Sequence, residues 1–256
     1  MTQVDLQNFL TTQVFAFLLT FIRMGTTIMI MPGIGNSYVS PNIRLYYALA
    51  FSFVLFPMIE PKIPNLAPAA VGLVMLILSE FVIGLLIGSI ARILLAAIDI
   101  AGLIISTQSS LANAQVFNPA FATQGSVIGG FLTLAGTLLI FVTDLHHLII
   151  SAMLNSYELF PIGKAVDFGS MARLIIQELE SACIVGVQMA APFLIVVFLL
   201  YVGMAVMSRL MPQVQVFMIA VPVQIWLALV TLAIVTSTMM LFWMNSFAGG
   251  MGMLVP

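Results

Sequence analysis

Five ionisable side chains stand inside or at the ends of long apolar runs: Arg23, Glu80, Arg92, Asp99 and Asp144. A charge at mid-bilayer costs from about 2.5 kcal/mol upward, so each must face water or an opposite charge. Two chemistries would use them. A proton or ion relay needs the groups in a row. Pairing between helices or subunits needs only a partner for each, for example Arg23 with Glu80. Five scattered charges form no row, which favours pairing. Asp144 is followed by His146 and His147 in TDLHHL. Adjacent side chains point about 100° apart on a helix, so the two histidines are not expected to share a metal ion. Asp144 and His147, three residues apart, are spaced to touch. The single cysteine, Cys183, excludes an internal disulfide and reads as a small core residue. No nucleophile elbow, HExxH, phosphate-binding glycine loop or paired-cysteine motif occurs, so neither catalysis nor a cofactor is expected.

A second group of residues does a different kind of chemistry. The stretch STQSSLANAQVFNPAFA, residues 106–122, carries no charge but is dense in amides and hydroxyls: Ser106, Gln108, Ser109, Ser110, Asn113, Gln115 and Asn118. Phe117, Pro119 and Phe121 close it with an Asn-Pro turn. Lipid cannot satisfy irregular backbone, so such a loop at membrane depth must line a wet cavity or pore. Neutral amides and hydroxyls make weak, replaceable hydrogen bonds and would not trap a charged chain passing by. The two phenylalanines would add an apolar seal that dewets a closed channel.

The elements that position these residues follow from composition. Of 256 residues, 62% are hydrophobic and 6% are charged, and the mean hydropathy is +1.20. Soluble domains carry roughly 25% charged residues, so this chain is expected to be an all-α integral membrane protein. About six apolar segments are long enough, or nearly so, to span a bilayer at roughly 20 residues each. They run over residues 9–31, 45–59, 70–98, 125–155, 182–207 and 216–247. Prolines 61, 64 and 68 hold the connector after the second segment extended. Residues 158–180 read as a polar connector whose second half, MARLIIQELE, forms a short separate amphipathic helix. The last two segments form a hairpin around a turn with Arg209, Pro212 and Gln213. The N-terminus has no basic n-region and does not read as a cleaved signal peptide.

Other features are weaker. The net charge is -2, with 7 basic and 9 acidic residues and no basic run, which argues against nucleic acid as a partner. Basic residues divide evenly between the two sides, so the positive-inside rule sets no orientation. Gly84 with Gly88, and Gly125 with Gly129, are spaced for close helix approach. Several of the 18 methionines cluster near residues 204–211 and 239–244 as adaptable filling.

Three blocks carry a resemblance to a known family. They are FIRMGTTIMIMPGIGNSYVSPNIRLYYALA, SEFVIGLLIGSIARILLAAIDIAGLIISTQSSLANAQVFNPAF and RLMPQVQVFMIAVPVQIWLAL, the last containing Pro212, Gln213, Phe217 and Pro222. Together they resemble FliR, the R subunit of the flagellar type III secretion export gate, along nearly the whole chain. Gln224 departs from the pattern, standing where many relatives have a basic residue. The resemblance implies a bacterial inner-membrane protein of the flagellar basal body. It implies assembly with P and Q subunits (FliP and FliQ) into an entry pore for unfolded flagellar proteins, with the gating protein FlhB at its base. It divides the chain into a P-like part, 1–180, and a Q-like C-terminal hairpin, 181–256. It also makes residues 106–122 a plug of the closed pore. Two alternatives stay open. One is a small-solute transporter coupled through Glu80, Arg92 and Asp144; the other is a non-conducting assembly scaffold.

Overall fold

A computed structural model describes residues 3–63, 70–112, 126–164, 167–211 and 216–255. Among these residues the chain is helical, with no strand. The helices are α1 (Gln3–Ile30), α2 (Pro41–Ile59), α3 (Ala70–Gln108), α4 (Val127–Val142), α5 (Leu145–Leu159), α6 (Phe168–Leu210) and α7 (Val216–Gly252). A short 3-10 turn, Glu60–Lys62, extends α2. Five helical stretches are long and apolar enough to cross a membrane: Thr12–Ile30, Pro41–Lys62, Gly72–Gln108, Phe168–Leu210 and Ala220–Gly252. The bent pair α4 and α5 makes a sixth if counted as one span. At 1.5 Å per residue, the 39 residues of α3 and the 43 of α6 reach roughly 58 and 65 Å. Both far exceed the roughly 30 Å of bilayer hydrocarbon.

Helix ends are set by local chemistry. After α1, Pro32 cannot donate to the helix and Gly33 takes a left-handed φ of 87°. The following loop is closed by Arg44, which donates to the carbonyls of Val39 (2.7 Å) and Asn36 (2.9 Å). Pro41 then opens α2 at a position where its missing N–H costs nothing. At the start of α6, Asp167 accepts from the Ser170 hydroxyl (2.6 Å) and from the amides of Ser170 and Gly169. These bonds, the hydroxyl's above all, hold its carboxyl below the usual range.

Three boundaries differ from the sequence expectation. The 125–155 segment is broken at Thr143-Asp144, where Asp144 adopts φ 60°. Aspartate tolerates this conformation better than other non-glycine residues. MARLIIQELE is not a separate helix but the beginning of the continuous α6. Its charged residues are good helix formers, and no breaker separates them from the apolar run. Finally, α3 continues through Ser106, Thr107 and Gln108. The first residues of the expected loop are therefore helical, and there the Thr107 hydroxyl bonds back onto the carbonyls of Leu103 and Ile104.

The chain divides into two compact units. The first comprises residues 1–93, 144–178 and 248–256. Leu19, Met24 and Ile28 of α1, Ile83, Ile87 and Ile90 of α3, and Ile149 and Met153 of α5 are buried in it. Here α1 and α3 approach closely: a Cβ on Gly84 would lie 2.5 Å from the Arg23 carbonyl oxygen. The Thr27 hydroxyl donates to the Gly84 carbonyl at 3.0 Å. The second unit comprises residues 94–143 and 179–247. Its core includes Ile98, Ile105, Leu132, Ile140, Phe193 and Trp243. The Trp243 indole donates to the Leu94 carbonyl at 2.9 Å. Many large apolar side chains remain outside both cores, among them Phe53, Phe198, Trp226 and Ile234. Only lipid or other apolar protein surfaces can cover so much of them.

Candidate functional site

The chain's neutral polar segment begins in the second unit, at the end of α3. Ser109 and Ala112 donate backbone N–H bonds to the carbonyls of Ile105 (2.9 Å) and Ser106 (3.1 Å). Ser110 is in the left-handed region, with φ 61°. This turn is held by one side chain from α7. Gln224 is 3% exposed. Its amide nitrogen donates to the Gln108 carbonyl and to the Tyr201 hydroxyl, the latter at 3.2 Å. Its amide oxygen accepts from the Ser110 hydroxyl at 2.9 Å. One amide thus satisfies groups on α3, on the turn that follows it and on α6.

Ser106 and Ser109 are buried here, and the Ser109 hydroxyl donates to the Ser106 carbonyl. The root of the segment thus has protein partners at Gln108, Ser109 and Ser110. Asn113, Gln115, Phe117, Asn118, Pro119 and Phe121 lie outside the described residues, as do Pro212 and Gln213 of the hairpin turn. Phe217 lies in the first turn of α7, and Arg209 is exposed in the last turn of α6. There its charge complements the helix dipole.

Replacing Gln224 with leucine keeps the bulk and removes all three bonds. Gln108 and Ser110, both half-buried, would each lose a partner, at a cost of about 0.5–1.5 kcal/mol per bond. The expected result is lower thermal stability in detergent and faster amide exchange at residues 108–112. Unchanged exchange there would show that the clamp holds nothing.

The intramembrane charges fall into two classes. In the first unit Arg23 and Glu80 meet as a two-pronged pair, Nε–Oε2 2.6 Å and Nη2–Oε1 2.9 Å. Their side chains are 0% and 1% exposed. Arg23 also donates to the Ser156 hydroxyl (3.2 Å) and the Phe160 carbonyl (3.0 Å), and its guanidinium lies 3.9 Å from the centre of the Tyr157 ring. Arg92, Asp99 and Asp144 are instead exposed. Among the described residues, Arg92 reaches the Asn36 side chain, at 3.5 Å. Asp99 accepts from the Thr133 hydroxyl. Asp144 lies 3.5 Å from His147 Nδ1. These groups are not collected into a relay.

The rings of His146 and His147 do not diverge: their centres are 4.2 Å apart. With Asp144 they place three potential ligand atoms within 4.8 Å of one another. Both residues sit in the first turn of α5, where Cα–Cβ bonds tilt toward the helix N-terminus, so the side chains lean together over Asp144.

Gln224 and Tyr201 are the site residues that spacing arguments missed. The available signal was an isolated amide within the apolar run AVPVQIWLAL.

The profile of the family described as "Bacterial export proteins, family 1" matches residues 14–250. The chain belongs to this family, that of FliR. It is 34% identical to the flagellar biosynthetic protein FliR of Caulobacter vibrioides, covering 92% of this chain and 94% of that protein. It is 30% identical to the FliR of Aquifex aeolicus over 93% and 92% of the two chains. It is also 31% identical to the Yop proteins translocation protein T of Yersinia pestis, over 69% of each. In this export-family chain, the clamped polar turn and the buried Arg23–Glu80 pair therefore belong to a membrane protein of an export apparatus.

Proposed function

We propose that this chain is the R subunit of a flagellar type III export gate in the bacterial inner membrane. In this reading it forms part of the entry pore for unfolded flagellar proteins, with FliP and FliQ as sister subunits and FlhB as the gating partner. Residues 1–180 pack like a P subunit and residues 181–256 like a Q subunit. Residues 106–122 plug the closed pore. It is a conduit component, not an enzyme.

The observation that carries the reading is the neutral polar turn clamped by Gln224 in a chain matched to an export family over residues 14–250. A plug needs a firm root and a tip free of fixed charge; no Asp, Glu, Lys or Arg occurs from Gly102 to Ile140. The flagellar assignment draws on the names of the two FliR relatives and their coverage of more than nine-tenths of the chain. A coupled solute transporter fits less well. Of its three coupling residues, Glu80 is held by Arg23, while Arg92 and Asp144 are exposed on separate helices.

Excising residues 113–121 from the chain, co-expressed with its sister subunits, tests the plug. Proteoliposomes carrying the assembled complex should leak small ions markedly faster than those with the intact chain. Equal leakage from a complex of normal composition would remove the plug role. Failure to copurify with P and Q subunits would remove the gate assignment itself.

A further inference from the structure

We propose that Asp144, His146 and His147 form a binding site for a divalent transition-metal ion of the zinc class. The site is compact in sequence: three ligating side chains fall within four residues, at the left-handed turn that starts α5. The turn leaves its acid available. Asp144 occupies the cap position of α5, but its side chain makes no capping hydrogen bond. The His147 amide is instead satisfied by the Asp144 backbone carbonyl, at 3.0 Å.

The spacing suits a metal better than a hydrogen bond. His147 Nδ1 and Asp144 Oδ1 are 3.5 Å apart, beyond the usual 2.7–3.2 Å of an N–H···O bond. Two ligands of a tetrahedral zinc ion, each at about 2.0–2.1 Å, stand roughly 3.3–3.4 Å from each other. The third ligand lies within 4.8 Å of both, on the neighbouring ring, whose centre is 4.2 Å from that of His147. Closing the remaining gap requires turning the two tilted rings so that their nitrogens converge on one ion. Two imidazoles and a carboxylate are a donor set that zinc, nickel, copper and ferrous iron accept, whereas calcium and magnesium prefer all-oxygen shells. The fourth position opens to solvent, since Asp144 and His147 are exposed. A bound ion would tie the first turn of α5 to its left-handed cap.

The test uses the full chain in detergent micelles, purified without a polyhistidine tag and stripped with chelator. Zinc titrated by calorimetry should bind at one equivalent, and cobalt substituted at the site should give the visible absorption of a tetrahedral ion. His147→Gln and Asp144→Asn should each weaken binding about tenfold or more, and the double variant should abolish it. Asparagine is chosen because it also tolerates the left-handed backbone, so α5 keeps its start. Helical circular dichroism of each variant checks that the fold survives. No stoichiometric zinc binding, or binding that persists unchanged in the folded double variant, would overturn the proposal.

Discussion

Arg23→Leu is expected to destabilise the first unit by about 3–5 kcal/mol, the cost of leaving one member of a buried ion pair without its partner. The loss falls on Glu80, which would retain a charge, or take up a proton, at a position 1% exposed. Ser156 and the Phe160 carbonyl would lose their guanidinium contacts at the same time. Arg23→Lys should rescue only part of the loss, because an ammonium cannot make the two-pronged contact with Glu80. The pair's net worth is a separate quantity from the cost of breaking it. Removing both charges with Arg23→Met and Glu80→Leu should leave stability near that of the native chain, since well-packed apolar side chains commonly replace a buried ion pair without loss. Thermal unfolding of the native chain, Arg23→Met, Glu80→Leu and the double variant in one detergent closes this cycle. Additive losses in the double variant would mean that the two side chains do not act as a pair.

A methyl group at Gly102 is expected to force apart two helices of the second unit. A Cβ there would lie 2.2 Å from the Gly129 Cα and 2.6 Å from its nitrogen, both backbone atoms that cannot rotate away. The contact is pinned by Ser126, whose hydroxyl donates to the Gly102 carbonyl and accepts from the Gly129 amide, both at 2.9 Å. Gly102→Ala should therefore cost about 1–3 kcal/mol through overpacking, and more if the Ser126 bonds are lost as the helices separate. Gly130→Ala supplies the control. A Cβ at Gly130 meets nothing within 4 Å, so the substitution should be neutral or stabilising by up to about 1 kcal/mol from helix propensity. Equal melting temperatures for the two alanine variants would remove the close approach of α3 and α4 at this point.

Packing in each unit was legible as spacing without being legible as contact. Gly129 and Gly84 belong to small-residue patterns visible in the sequence, and both stand where backbones converge. The partners of these glycines were not visible: Gly129 meets Gly102, and Gly84 meets the Thr26 side chain and the Arg23 carbonyl. Spacing along one helix identifies a face that permits close approach; it carries no information about the surface that arrives there. The same limit applied to the clamp. Gln224 stood out as an isolated amide, yet its partners lie 114 and 116 residues away in sequence.

The sequence by itself determined the class of the protein and the stretches that become helices. Both depend on quantities summed along the chain: too few charges for a soluble surface, and apolar runs long enough to satisfy their backbone only as helices in lipid. It also carried the family resemblance that the match over residues 14–250 bears out. Of the charge pairings the sequence allowed, Arg23 with Glu80 among them, tertiary structure joins those two and leaves Arg92, Asp99 and Asp144 exposed. It decided that the fourth segment breaks at Asp144. It also brought Asp144, His146 and His147 within ligand distance. These outcomes rest on backbone conformation at single residues and on pairings across tens of positions, where neighbouring sequence leaves alternatives of nearly equal energy and packing selects one.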